Sequence, residues 1–227
     1  MTVHDTARLL PAMPVLRDHC RALATLEAIL CPDALFRHYT FDAHWSATEE
    51  LASMSNGAGD EFSIVFSPAG AYVRGFDHES PMSPYVHDAV WPGVVDEVPE
   101  VFRRYVDEPA FSDGVGFPSV TACLWRTAGD DAWRTGAIDF PAACDPDGSD
   151  YLFEHLTDRS AETYQAFAED AHEVPVDLDA VRHVLALRPL TDEVVAALNP
   201  KLTLAGLAGP AGPAGQSAVT GPPRTGR

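Results

Sequence analysis

The sequence predicts an α+β domain, and three observations carry that reading. Period-two strands cluster in the middle of the chain, tight turns join them as hairpins, and helical periodicity dominates its C-terminal part. Regular βαβ alternation, which would predict a parallel sheet, is missing. The expected architecture is one domain, residues 15–203, with a central antiparallel sheet and helices packed mainly on one side. Residues 1–14, with two prolines and no sustained period, read as a flexible N-terminal extension. Residues 204–227, almost wholly Gly, Ala, Pro and small polar residues, read as a disordered tail that buries too little to offset its ordering entropy.

Element by element, Leu16, Cys20, Leu23 and Leu30 mark an amphipathic helix closed by Pro32. "LFRHYTF" (Leu35 to Phe41) alternates as an aromatic strand, "EELASMS" is a weaker one, and "NGAGD" is a turn. "EFSIVFS" and "AYVRGFD" then form a hairpin around "SPAG". Read as a three-residue loop, Pro68-Ala69-Gly70 sets Ile64 opposite Arg74 and Phe62 opposite Phe76. That register places Arg74 among aromatic side chains, with a carboxylate from a covering helix as its expected partner. Val98, Phe102, Tyr105 and Val106 repeat as a helix. "SVTACLWRT" alternates as a strand, with "WRTGAID" as its expected partner. Ser149, Ser160, Asp177 and Thr191 are placed to cap four further helices.

Composition restricts function. There are 34 acidic residues against 15 basic ones, a formal charge of −19, and Lys201 is the only lysine. Long-range repulsion at that charge argues against nucleic acid and anionic membrane as ligands and leaves a cationic protein as a natural partner. No apolar run approaches the length of a membrane helix, and the N-terminal stretch lacks the pattern of a secretory leader, so the expected location is cytoplasmic. Four cysteines without a CxxC pair read as free thiols. There is no GxGxxG after a strand, no P-loop, no HExxH and no GxSxG.

The densest run of chemically capable groups is "RGFDHESPMSP", Arg74 to Pro84. Asp77, His78 and Glu79 carry metal-ligand chemistry, but neighbours on a strand diverge, and neither a metal nor any other cofactor is expected. His38, His44 and His87 are the other histidines within reach of such a site. "DPDGSD" (Asp145 to Asp150) begins like a calcium loop, but lacks glycine at the sixth place and the closing acid at Leu156. Trp91, in "AVWPG", reads as a partner anchor or as a lid on the core.

The segments "MSNGAGDEFSIVFSPAGAYVRGFDHESPMSPY", "WPGV", "EPAF" and "LRPLTDEVVAALNP" resemble those of an uncharacterised family of bacterial cytoplasmic proteins, over about Leu26 to Pro200. The resemblance implies boundaries and no activity. By size, charge and class the chain also resembles immunity proteins that neutralise basic toxins, which implies a cationic protein partner.

The function these features favour is an acidic cytoplasmic protein-binding module without catalytic residues. The alternative is an enzyme or small-molecule binder with a cleft around Arg74 and His78. Across both, the candidate binding residues are Arg74, His78, Asp77, Glu79 and Trp91. If Arg74, His78 and His38 share one pocket, the alternative gains; if they are separated or ion-paired under helices, the binding module stands.

Overall fold

The computed structural model describes residues 1–111 and 116–207. In chain order the elements are α1 (Val3–Leu9), α2 (Met13–Leu30), β1 (Tyr39–Asp42), β2 (Glu50–Ser55), β3 (Glu61–Ser67), β4 (Gly70–Phe76), α3 (Pro84–His87) and α4 (Glu100–Val106). There follow β5 (Ala122–Thr127), α5 (Ser149–Leu152), α6 (Glu154–Thr157), α7 (Ala161–His172), α8 (Leu178–Leu185), α9 (Asp192–Leu198) and α10 (Leu204–Leu207). The strands form one antiparallel meander in the order β1-β2-β3-β4-β5, the fold class that the sequence predicts.

The register divides the sheet into two faces. Tyr39, Phe41, Ala52, Met54, Phe62, Ile64, Ala71, Val73 and Leu124 share the first face. It receives the long apolar stripe of α2, where Leu16, Leu23, Leu26 and Ile29 are fully buried, each contributing about 1.5–3 kcal/mol through burial. Phe153, His155 and Phe167 close on Tyr39 and Phe62 from the C-terminal helices. The second face carries Ser63, Val65, Tyr72, Arg74, Phe76, Cys123 and Trp125. Phe102 and Tyr105 of α4 cover it over Tyr72, and Tyr85 meets Phe76 edge-on.

Several expectations need correction. The hairpin between β3 and β4 is one residue tighter than the three-residue loop: Ser67 pairs with Gly70, and Arg74 faces Ser63 rather than Ile64. Gly70 has φ +134°, but the neighbouring strand is what demands glycine there. A Cβ at Gly70 would lie 2.1 Å from the Arg126 carbonyl oxygen of β5. A turn rule applied to β3 and β4 alone cannot see that third strand. The one-residue slip exchanges faces, so Phe62, Ile64 and Phe66 line the core opposite to Arg74.

Residues 1–14 are not a flexible extension. Val3 and Thr6 are fully buried, the Val3 N–H donates to buried Asp147 at 2.8 Å, and the Trp133 indole donates to the Pro11 carbonyl at 2.7 Å. Short segments with two prolines dock when partners this distant in sequence receive them. The proposed tail also starts too early, because Leu204–Leu207 form a helical turn with Leu207 buried; the remainder, from 208, lies outside the described residues. The aromatic strand begins only at Tyr39. Leu35 and Phe36 sit exposed in a 3₁₀ turn that Asp33 caps. The "WRTGAID" segment pairs with β5 through a single bridge, Trp125 with Arg134. Ser160, Asp177 and Thr191 cap as expected, while the helix at Ser149 is capped one residue earlier, by Gly148.

Candidate functional site

Arg74 lies mid-strand on β4 and is 3% exposed. Its guanidinium donates to the Ser119 carbonyl and pairs with Glu61, and it stands 5.0 Å from the centre of the Phe111 ring. The carboxylate comes from the neighbouring strand, as the diagonal neighbour across the β3–β4 pair, rather than from a covering helix. Arg74 is thereby tied into the sheet by Glu61 and Ser119, with its Nε left without a hydrogen-bond partner.

Asp77, His78 and Glu79 follow the end of β4. Asp77 accepts the Glu79 N–H at 2.9 Å, and its own N–H donates to Thr121 at 3.1 Å. Burial, with Asp60 and Asp145 nearby, raises its pKa despite the bonds it accepts. His78 is held by Asp60, whose Oδ1 lies 2.6 Å from the ring Nδ1 and also accepts the His78 N–H at 3.1 Å. That bond raises the imidazole pKa. Burial works against ionisation of Asp60, but the bonds from His78 and Asn56 outweigh it and lower its pKa. Glu79 is exposed. A cleft of about 470 Å³ is lined by His78, Glu61, Phe76, Tyr85 and Ser119, but not by Arg74. The run that looked richest in sequence is a strand end passing into a turn, most of whose polar groups bond locally, although Arg74 Nε and Ser83 Oγ are buried without a partner.

Trp91 occupies different ground. It follows α3, which ends in a left-handed Asp88 (φ 54°). Its indole donates to the Asp139 carbonyl at 3.0 Å, and the His87 ring meets it edge-on at 5.0 Å. The turn that carries it is fixed by close backbone approach. Gly93 has φ +89°, and a Cβ there would lie 2.2 Å from the Ala137 carbonyl oxygen. Asp96 accepts the Gly93 N–H at 2.8 Å, and Arg103 donates to the carbonyls of Val95 and Asp96. Between these segments lies a cleft of about 760 Å³ with Trp91 and Val90 as apolar wall and Asp96, Glu97 and Asp139 as acidic rim. Among the described residues that line it there is no lysine or arginine. An aromatic face beside several carboxylates suits a cationic side chain.

A third constellation escaped the sequence reading. Glu27 of α2, His38 ahead of β1 and His172 at the end of α7 bring one donor atom each to within 4.8 Å of one another. Asp60, Asp77 and His78 form a second group of that kind. Among the described residues Arg74, His78 and His38 do not come together in one pocket, the condition that would have favoured the alternative: Arg74 is buried on the second face, while His38 sits with Glu27 and Phe167. His44 lines a separate groove with Arg17 and Glu50.

The described thiols offer no activated nucleophile in the core, since burial pushes Cys20 and Cys123 up to about 12. No helix among the described residues is long and apolar enough to cross a membrane. No family model, curated protein or solved structure matches the chain.

Proposed function

We propose that this chain is a non-catalytic binding module for a basic protein, and that the Trp91 cleft receives a cationic side chain of that partner. The observation that carries the reading is the cleft itself, an indole wall beside Asp96, Glu97 and Asp139 on a chain of formal charge −19. An indole–cation contact contributes about 0.5–2 kcal/mol, and the surrounding field speeds and orients encounter. A cytoplasmic partner, as for immunity proteins, is consistent with free cysteines. The alternative, chemistry around Arg74 and His78, is weakened because Glu61 and Asp60 already neutralise those two groups.

The test compares charge reversals of equal size. An arginine-rich peptide is titrated against the full chain, against Glu97→Lys/Asp139→Lys, and against Asp131→Lys/Asp170→Lys, whose reversed charges lie elsewhere. The cleft variant is expected to lose about tenfold more affinity than the control, a difference of ~1.4 kcal/mol. Equal losses would reduce the interaction to diffuse charge and contradict the assignment.

A further inference from the structure

We propose that Glu27, His38 and His172 form a binding site for a divalent transition-metal ion of the zinc class. The site is independent of the Trp91 cleft. It begins with a carboxylate in an expensive place: Glu27 is 0% exposed on the inner face of α2. Among the described residues its ion-pair partners are the two histidines alone. Its Oε1 accepts the Tyr164 hydroxyl at 3.0 Å and lies 3.2 Å from His172 Nε2, and its Oε2 accepts the His38 backbone N–H at 2.9 Å. A buried anion is retained where a cation or several donors compensate it.

His38 supplies the second observation. Its Nδ1 is buried without a hydrogen-bond partner, 3.9 Å from Glu27 Oε2. If Nδ1 carries the proton, that distance is too long for a hydrogen bond. If it does not, a lone pair faces a carboxylate across a poorly solvated gap. Neither tautomer satisfies the pair, whereas a cation between them satisfies both.

The spacing is close to that of a metal. Donors about 2.0–2.1 Å from a tetrahedral zinc lie about 3.3–3.4 Å from each other; His172 Nε2 lies 3.2 Å from one Glu27 oxygen, His38 Nδ1 lies 3.9 Å from the other, and one donor from each residue lies within 4.8 Å of the rest. Two imidazoles and a carboxylate suit zinc and its neighbours rather than calcium, which takes six or more oxygens. His38 is 24% exposed and His172 10%, so the two rings reach solvent although the donor atom of His38 is buried. The Tyr164 hydroxyl orients the Glu27 carboxylate from behind. No sequence spacing announces this site, because its donors come from three elements separated by 11 and 134 positions (38 − 27 and 172 − 38). The second group, Asp60, Asp77 and His78, makes a natural control, since the His78 Nδ1 is already bonded, 2.6 Å from Asp60 Oδ1, where the His38 Nδ1 has no partner.

The full chain, produced without a histidine tag and stripped with chelator, is dialysed against zinc and measured by elemental analysis. Cobalt(II) is bound in parallel as an optical reporter. One equivalent per chain is expected. His38→Ala and His172→Ala should each weaken it by more than the roughly 10–100-fold typical of losing an outer partner, and His78→Ala should leave it unchanged. Absence of uptake, uptake that survives both substitutions, or uptake lost with His78→Ala would overturn the site. X-ray absorption on the zinc-loaded unmutated chain provides a readout that does not depend on the variants folding. Two imidazoles per zinc support the assignment, and a coordination shell without imidazole overturns it.

Discussion

Buried Arg74 on β4 is paired with Glu61, its diagonal neighbour on β3, which is itself 41% exposed. The pair is asymmetric, and its energetics should be too. Arg74→Ala frees a carboxylate that can turn to water, leaving mainly a cavity and an unpaired Ser119 carbonyl, at about 2–3 kcal/mol. Glu61→Ala strands a buried guanidinium and should cost more, about 3–5 kcal/mol, although Glu61 looks like the surface residue. Arg74→Lys should recover part of the loss, because a point charge cannot copy the fork. Urea denaturation of the three variants measures this; a Glu61→Ala loss smaller than that of Arg74→Ala would contradict the pairing.

The N-terminal segment should prove integral to the domain. Removing residues 1–12 leaves buried Asp147 without the Val3 N–H and uncovers Trp133. The expected loss of about 3 kcal/mol corresponds to a fall of roughly 6–12 °C in melting temperature for a domain of this size. An unchanged melting curve would restore the extension that the sequence suggests.

Stability should fall on mild acidification, with His19 as a main cause. Burial pushes its imidazole down to about 4, while its ring Nε2 lies 2.7 Å from the His155 carbonyl oxygen. The unfolded chain takes up that proton near the ordinary value of about 6.5. Stability is therefore full above about 6.5 and is lost as pH falls toward about 4, by ~3 kcal/mol. His155, lowered first by burial, acts in the same direction. His19→Gln should flatten the decline in urea midpoint between about pH 7 and about pH 4.5; an equally steep decline would remove His19 as its source.

Gly93→Ala should damage the cleft more than the domain. The new Cβ would meet the Ala137 carbonyl at 2.2 Å, so the turn beneath Trp91 has to shift. Affinity for an arginine-rich peptide is expected to fall by about tenfold or more, with the folded spectrum retained. Unchanged affinity would place the contact elsewhere.

Much of the fold is legible in the sequence because its signals are local. The stripe of α2, the alternation of β3 and β4, and the caps at Ser160, Asp177 and Thr191 each depend on residues within a few positions. What stays hidden depends on a third party. The β3–β4 register needs β5 against Gly70, the ordering of residues 1–14 needs Asp147, and the Glu27 cluster needs α7. Trp91 stands out in the sequence as a residue, with Asp96 and Glu97 a few positions on, while Asp139 does not, because it arrives from beyond β5.

The central claim, a cationic side chain docking on Trp91, is tested most directly at the indole itself. With the chain labelled with ¹⁵N, the Trp91 Nε1–H resonance is assigned through Trp91→Phe and followed during titration with an arginine-rich peptide. The account predicts that this resonance shifts saturably while those of Trp45, Trp125 and Trp133 hardly move, and that a glutamate-rich peptide of equal length has no effect. A shift spread equally over all four indoles, or none at Trp91 while the peptide binds, would contradict it.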